Sequence, residues 1–155
     1  MISAVDTNIL FDVLIPGSSR AAEAEASLVG ALTDGPLIIG EPVYAELAAH
    51  FPHRHDLDRF LLRTGIRLVA SDPEALYDAG KLWRTYASRR AGGLPCPKCG
   101  ASNDVRCKKC GEPMRTRQHI VADFIIGAHA SVQADLLLTR DRGFYKTYFP
   151  DLKLG

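Results

Sequence analysis

The stretch ISAVDTNILF, residues 2–11, contains two short apolar runs separated by one carboxylate, Asp6. The first run, Ile2–Val5, predicts a buried β-strand, because a strand covered on both faces is a continuous apolar run rather than an alternating one. The second run predicts a brief helix over Asn8–Leu14, which a Pro-Gly pair ends. Asp6 therefore follows a strand end directly, at the edge where open α/β sheets bind ligands.

The same order of strand and helix continues along the chain. Further buried strands are predicted at Leu37–Ile39, Ile66–Val69 and Leu136–Leu138, with Leu152–Leu154 as a final edge strand. Helices are predicted between them, at Arg20–Leu32, from Pro42 to about His50, at His55–Thr64, from Ser71 to about Arg90, at Gln118–Gln133 and at Phe144–Phe149. Ser71 and Glu74 have the spacing of a capping box. The alternation predicts an α/β fold, an α/β/α sandwich around a central, mainly parallel sheet.

A cysteine-rich stretch interrupts this order. Residues 91–116 have no apolar periodicity and predict an insertion, so that residues 1–90 and 117–155 form the main domain. A chain of 155 residues with 46% hydrophobic content suffices for one such core. No apolar run approaches the roughly 18 residues of a membrane span, and Asp6 interrupts the apolar stretch that a signal peptide needs. We therefore expect a cytoplasmic protein, in which thiols stay reduced.

Charge is distributed unevenly along the chain. The segment from Arg89 to Arg117 contains eight basic and two acidic residues, whereas the rest contains eleven basic and sixteen acidic residues. The segment thus carries +6 and the remainder −5, within a net charge of +1. This split indicates a polyanionic partner on one surface and a cation on another.

Four carboxylates stand in apolar surroundings, and they are Asp6, Glu46, Asp123 and Asp141. Burying an unpaired carboxylate costs several kcal/mol, so four acids placed in this way need a common explanation. Two of them directly follow predicted strands and the other two lie on helices that reach the same sheet edge, where they would form one acidic pocket. Their mutual repulsion favours a bound cation, and Mg²⁺ or Mn²⁺ suits an all-oxygen site.

The motifs around these acids resemble those of PIN-domain nucleases. They are Val5-Asp6-Thr7-Asn8-Ile9-Leu10, Tyr44-Ala45-Glu46-Leu47, Ala122-Asp123-Phe124-Ile125-Ile126 and Leu138-Thr139-Arg140-Asp141-Arg142-Gly143-Phe144. All four occur in the family's order, and they are most similar to those of VapC-like toxins of toxin–antitoxin pairs. The resemblance implies the PIN sandwich fold and Mg²⁺- or Mn²⁺-dependent endoribonuclease activity. It also implies RNA, a second copy of the chain and an inhibitory antitoxin as partners.

The implied mechanism is metal-assisted hydrolysis of a phosphodiester. Asp6 and Asp123 are expected as direct metal ligands, whereas Glu46 and Asp141 would act through water, position the nucleophile or hold a second ion. Supporting roles are expected for five more residues: Thr7, Asn8 and Thr139 would orient the carboxylates, and Arg140 or Arg142 would contact phosphates. The chain departs from the family pattern at Gly143, where many relatives carry a further acid, so a second metal is expected to bind weakly or only with substrate.

Structural alternatives exist for each acid. Asp6 has the position of a helix cap. Asp123 has a potential salt-bridge partner in Arg117 or His119, Glu46 is compatible with a helix surface, and Asp141 is compatible with turn chemistry. Glu41, Asp12 and Asp135 are expected as caps or surface acids, and the histidines as surface or packing residues.

The insertion contains Cys96, Cys99, Cys107 and Cys110, spaced C-x2-C-x7-C-x2-C. Two such pairs make a tetrahedral four-thiolate site suited to structural Zn²⁺; rubredoxin-like iron is the less favoured alternative. Its basic residues, among them Arg106, Lys108 and Lys109, would grip RNA phosphates. Alternatively, the insertion staples a long loop, or it forms part of a dimer or antitoxin interface.

The sequence therefore predicts a divalent-metal-dependent endoribonuclease, possessing a structural zinc knuckle. The alternative from another functional class is a non-catalytic RNA-binding protein that uses the basic knuckle. A DNA-directed nuclease of the same fold is a second alternative, because the phosphodiester chemistry is shared.

Overall fold

The computed structural model describes residues 1–88, 94–95, 102–114 and 120–155. Within them, a four-stranded parallel sheet has the order β3-β2-β1-β8. Its strands are β1 (Ser3–Val5), β2 (Leu37–Ile39), β3 (Ile66–Leu68) and β8 (Leu136–Leu138). The prediction of a central parallel sheet is confirmed. Leu154 adds an isolated parallel bridge to Leu137, where a short edge strand was expected.

Seven helices lie in the described part of the chain. They are α1 (Thr7–Leu14), α2 (Ala21–Asp34), α3 (Glu41–Ala48), α4 (Arg54–Thr64), α5 (Pro73–Ser88), α6 (Val121–Gln133) and α7 (Arg142–Tyr148). Pro42 lies in the first turn of α3, where its missing N–H has no helical partner to lose. Gly65 ends α4 in the left-handed conformation, with φ 70°.

The start of α5 differs from the sequence prediction. Its first turn is capped by Asp72, whose Oδ1 accepts a hydrogen bond from the Glu74 N–H at 2.9 Å. The hydroxyl of Ser71 instead donates to the carboxylate of Glu41, 30 residues away in the chain. The predicted capping box is therefore wrong, because a tertiary contact takes the hydroxyl that the local pattern assigned to the helix.

The core surrounds the two central strands. Every residue of β1 and β2 is buried, as expected for strands covered on both faces, whereas Arg67 and Leu68 of β3 are exposed at the sheet edge. The ring of Phe124 packs against Phe144 at 5.0 Å and against Tyr148 at 5.1 Å between centroids. This aromatic cluster joins α6 to α7, the two helices that contain residues of the third and fourth acidic motifs.

The cysteine-rich segment contains two antiparallel strand pairs that are separate from the main sheet. One pairs β4 (Leu94–Pro95) with β5 (Ser102–Asn103), and the other pairs β6 (Val105–Arg106) with β7 (Pro113–Met114). No helix in the described ranges has the length and apolar content of a membrane span.

Candidate functional site

Asp6 lies between β1 and α1, at the N-cap position of that helix. Its backbone N–H donates to the carbonyl of Leu138 at 3.0 Å, so the ends of β1 and β8 meet at this residue. The side chain is buried, with 6% of its surface exposed. The parallel pairing of the strands thus brings Asp6 beside Thr139, which follows the end of β8.

Two polar side chains hold the Asp6 carboxylate. Its Oδ2 accepts hydrogen bonds from Asn8 Nδ2 and from Thr139 Oγ1, both at 2.6 Å. The hydroxyl of Thr139 also accepts from Asn8 Nδ2 at 3.2 Å and from the Asp141 N–H at 3.1 Å. These contacts fix the orientation of the carboxylate before any ligand binds.

The electrostatic environment disfavours a charge on Asp6. Burial raises the pKa of its carboxyl above the ordinary value, and the carboxylates of Asp123 and Glu46 raise it further. The hydrogen bond from Thr139 and one from Asn8 lower it in part. Three acids from separate parts of the chain therefore lie close enough to influence one ionisation.

Glu46 and Asp123 are each half-buried, and each accepts a hydrogen bond. Glu46, in α3, accepts a hydrogen bond from the hydroxyl of Thr7. Asp123, in the first turn of α6, accepts one from the Ile120 N–H at 2.8 Å. Thr7 therefore orients the carboxylate of Glu46, whereas Asn8 and Thr139 orient that of Asp6.

Asp141 is exposed and caps α7. Its Oδ1 accepts a hydrogen bond from the Phe144 N–H at 3.2 Å, which is the turn chemistry that the sequence left open as an alternative. Its charge nevertheless acts on the neighbouring site, because it contributes to the raised pKa of Tyr145.

Tyr145 is a residue of this site that the sequence motifs did not single out. The side chain is 2% exposed, and burial holds the pKa of its hydroxyl well above the usual range. The carboxylates of Asp6, Asp123 and Asp141 raise it further, and its side chain is hydrogen-bonded to Asp6. A buried tyrosine hydroxyl needs a polar partner. A tyrosine among the apolar residues of α7 is therefore the sequence feature that could have indicated a place near the acids.

The donor set suits a hard divalent cation, since it consists of carboxylate oxygens. As they stand, however, no three Asp, Glu, His or Cys side chains of the described residues form a group that could hold a metal ion. Glu46, Asp123 and Asp141 each accept a hydrogen bond, from Thr7, Ile120 and Phe144 respectively. Metal binding would therefore need a closer approach of these carboxylates to Asp6, which like charges oppose when no cation is bound.

Asp12 is buried, which corrects the expectation of a surface acid. Its Oδ2 lies 2.9 Å from Arg140 Nε, and Arg140 Nη2 also donates to the Asn8 carbonyl at 3.1 Å. Arg140 is thus held against α1. Together with Asp12, Arg142 and Thr139 it lines a cavity of about 340 Å³.

The cysteine-rich segment is described in part. Cys96 and Cys99 lie outside the described residues. Cys107 begins a turn in which its carbonyl accepts from the Gly111 N–H at 2.8 Å. The backbone N–H groups of Cys110 and Lys109 lower the pKa of the Cys107 thiol, as in turns that present thiolates.

The basic residues of this turn face solvent. Lys108 and Lys109 are exposed, as is Arg106 on β6. Arg106 Nε lies 3.7 Å from a carboxylate oxygen of Asp104, and its Nη1 donates to the Gly111 carbonyl at 3.3 Å. The two lysines are therefore the less constrained cations of the three.

The sequence matches the PIN domain family model over residues 4–150. This chain belongs to the PIN domain family. PIN domains are nucleases, and they generally use a divalent metal such as Mg²⁺. A comparison with curated proteins found no match.

Three solved structures illustrate the similarity of fold. VapBC2 from Rickettsia felis, bound to a DNA fragment from its promoter, gives a TM-score of 0.59 at 17% identity, with 100% of this chain and 98% of that chain covered. VapBC-1 from nontypeable Haemophilus influenzae gives 0.57 at 21%, with 100% and 97% covered. VapC20 from Mycobacterium tuberculosis, a toxin that cleaves the sarcin–ricin loop, gives 0.56 at 14%, with 97% and 98% covered. At these identities the similarity concerns the fold.

Proposed function

We propose that this protein is a divalent-metal-dependent endoribonuclease that hydrolyses RNA phosphodiester bonds. The observation that carries the proposal is the buried carboxylate of Asp6 at the carboxyl end of the parallel sheet, with its pKa raised further by the carboxylates of Asp123 and Glu46. A buried carboxylate surrounded by others is costly, and a cation offsets that cost. Membership of the PIN domain family supports the same conclusion.

In this proposal, Asp6 and Asp123 hold the metal, and Glu46 and Asp141 position the attacking water or hold a second ion. Mg²⁺ or Mn²⁺, when bound, stabilises charge on the phosphate and makes water a better nucleophile. Asn8 and Thr139 keep the Asp6 carboxylate oriented, and Thr7 does the same for Glu46. Tyr145 stays protonated and keeps its hydrogen bond to Asp6.

The test is cleavage of a labelled, structured RNA by purified protein with Mn²⁺. Asp123→Asn removes one proposed ligand with little change in size, and Asp78→Asn is the matched control, since Asp78 is an exposed acid on α5. Cleavage by wild type and by the control, lost in Asp123→Asn, supports the proposal. Equal cleavage by Asp123→Asn refutes the site. A single-stranded DNA of the same sequence, run in parallel, distinguishes a ribonuclease from a DNA-directed nuclease.

We further propose that the chain is the toxin of a toxin–antitoxin pair and forms a homodimer. The similarity in fold to the VapBC structures supports the toxin–antitoxin part of this proposal. Induced expression in a bacterial host should stop growth for wild type and not for Asp6→Asn. Growth arrest by both wild type and Asp6→Asn would show that toxicity does not depend on the acidic site. Sedimentation equilibrium measures the mass of the assembly, and a monomer at all concentrations would contradict the homodimer.

For the cysteine-rich segment we propose a structural Zn²⁺ bound by Cys96, Cys99, Cys107 and Cys110. The spacing of the four cysteines and the lowered pKa of the Cys107 thiol support the proposal. Mass spectrometry of the purified protein should find one equivalent of zinc in wild type and loss of zinc in Cys107→Ser. Iron in place of zinc would indicate the rubredoxin-like alternative.

We also propose that Arg106, Lys108 and Lys109 contact RNA phosphates. Exposure of these side chains supports this role. A Lys108→Gln/Lys109→Gln double variant should bind RNA more weakly, with a reduced dependence on salt, because two phosphate contacts are lost. Lys146→Gln/Lys153→Gln removes the same charge elsewhere and serves as the control. RNA binding that persists in Asp123→Asn but is lost in the double variant, without any cleavage by wild type, would favour the non-catalytic alternative.

A further inference from the structure

Hydrogen bonds through three polar side chains, Glu41, Ser71 and His129, join α3 to α6. The hydroxyl of Ser71, which precedes α5, lies 2.6 Å from Glu41 Oε2 and 3.1 Å from His129 Nδ1. Its backbone N–H also donates to Glu41 Oε1 at 3.0 Å. Ser71 and His129 are buried, at 8% and 2% exposure, whereas Glu41 reaches Ser71 from the surface.

The direction of the hydrogen bonds follows from the number of protons available. A serine hydroxyl has one proton, and at 2.6 Å from a carboxylate it donates that proton to Glu41. Ser71 Oγ must then accept from His129, so Nδ1 of the imidazole carries the proton. Nε2 is left unprotonated, and it is a buried atom with no hydrogen-bond partner in the described part of the chain.

This order of hydrogen bonds argues against a nucleophilic serine. In a Ser–His–acid triad, the imidazole accepts the serine proton and the acid binds the opposite nitrogen of the ring. Here the acid accepts the serine proton directly, and the imidazole donates to the serine. These hydrogen bonds therefore join structural elements and do not activate the Ser71 hydroxyl as a nucleophile.

The elements that they join carry two of the proposed metal-site acids. Glu41 is the first residue of α3, which also contains Glu46, and His129 lies in α6, which contains Asp123. With 8 residues, α3 is too short to hold its position without tertiary contacts. The charge-assisted bond from Ser71 at its first turn supplies such a contact.

Two further features reinforce this junction. A Cβ atom added to Gly40, just before α3, would lie 3.3 Å from His129 Nδ1 and 3.4 Å from Ser71 Oγ, so the glycine permits the close approach. Gln133, one helical turn after His129, donates to the Ala70 carbonyl at 2.8 Å and accepts from the Asp72 N–H at 2.9 Å. The loop around Ser71 is therefore bound to α6 at two successive turns.

We propose that the Glu41–Ser71–His129 chain positions α3 against α6 and so sets the separation of Glu46 from Asp123 for metal binding. The three residues are positioning residues, since none of them is placed among the proposed ligands. The inference rests on the proposed metal-dependent function, and its test is designed so that the two can fail separately.

The test measures Mn²⁺ affinity by calorimetry together with the melting temperature of each variant. Ser71→Ala removes the central hydroxyl and is expected to weaken Mn²⁺ binding about tenfold, the lower end of what loss of a supporting hydrogen bond costs a metal site. Ser131→Ala is the matched control, because among the described residues the Ser131 hydroxyl bonds only to the Gly127 carbonyl of its own helix. It is expected to bind Mn²⁺ as wild type does.

Substitutions at His129 test whether the imidazole donates its hydrogen bond to Ser71. Asparagine places an N–H donor where Nδ1 stands, so His129→Asn should retain most of the Mn²⁺ affinity, whereas His129→Leu should lose it. Nitrogen NMR of wild type should show Nε2 as the unprotonated ring nitrogen at neutral pH. Should His129→Leu not fold, Ser71→Ala decides the test, since it removes a single oxygen.

The outcomes separate the two proposals. A folded Ser71→Ala variant that binds Mn²⁺ as tightly as wild type would overturn the positioning role and leave the proposed function intact. A neutral imidazole protonated at Nε2 would overturn the inferred donation from His129 Nδ1 to Ser71 Oγ. If wild type itself binds no Mn²⁺, the proposed function fails and the positioning role fails with it, a result that the wild-type titration alone identifies.

Discussion

Replacing Asp6 by asparagine should make the metal-free protein more stable while abolishing its response to divalent cations. Asp6 is buried, and the carboxylates of Asp123 and Glu46 both oppose its charge. Burying an ion costs several kcal/mol, which its two short hydrogen bonds offset incompletely, since the net pKa is raised. We therefore expect the free energy of unfolding to rise by about 1–2 kcal/mol.

The assay is thermal unfolding followed by circular dichroism, after dialysis into buffer without Mg²⁺ or Mn²⁺. Dialysis is preferable to a chelator, which would also remove the proposed zinc. Because about 1 kcal/mol corresponds to roughly 2–4 °C for a chain of this size, the Asp6→Asn melting temperature should rise by several degrees. Added Mn²⁺ at about 100 times its dissociation constant should stabilise wild type by about 2.7 kcal/mol and leave Asp6→Asn unchanged.

The pH dependence has a definite sign. The folded pKa of Asp6 is raised, so between the unfolded and folded values the native state binds more protons than the unfolded state. The stability of metal-free wild type should therefore fall as pH rises above the ordinary aspartate value of about 3.9, until Asp6 is ionised in the folded state. This component of the decline should be absent from Asp6→Asn.

Asp12→Asn is the matched control. Asp12 is similarly buried, but it faces the Arg140 guanidinium at 2.9 Å, so losing its charge removes a favourable ion pair. The expected change is a loss of about 1–3 kcal/mol, opposite in sign to that of Asp6→Asn. The reasoning is refuted if metal-free Asp6→Asn is less stable than wild type, or if Mn²⁺ stabilises both equally.

Three further predictions concern individual side chains. Tyr145→Phe removes the hydroxyl bonded to the Asp6 carboxylate and should weaken Mn²⁺ binding about tenfold, measured by calorimetry, with the aromatic packing retained. Arg142→Ala, an exposed residue in the lining of the 340 Å³ cavity, should raise the KM for RNA and leave the melting temperature within about 1 °C. A lower kcat at unchanged KM would contradict this. Gly127→Ala would bring a methyl carbon closer to the Phe149 ring than van der Waals contact allows. It should lower the free energy of unfolding, measured in urea, by about 1–3 kcal/mol. An unchanged urea midpoint would disprove the close contact.

The sequence determined the four strands of the main sheet and the order of strands and helices along the chain. Continuous apolar runs predicted Leu37–Ile39 and Leu136–Leu138 at their observed limits, because burial on both faces excludes polar residues from such strands. It also determined where Asp6 lies, since a residue that follows a parallel strand must stand at the carboxyl edge of the sheet. Helix limits were less accurate, as local propensity changes little over one turn.

Only the tertiary structure decided which side chains meet. Ser71 has the local spacing of a capping residue, yet it binds Glu41 and His129. Asp12 looks like a surface acid, yet it is buried against Arg140, 128 residues further along the chain. The periodicity of a sequence segment depends on residues that are neighbours along the chain, and it predicts the type of element and its buried face. Hydrogen-bond partners depend on which elements pack together, and that information exists only once the sheet and its helices have assembled.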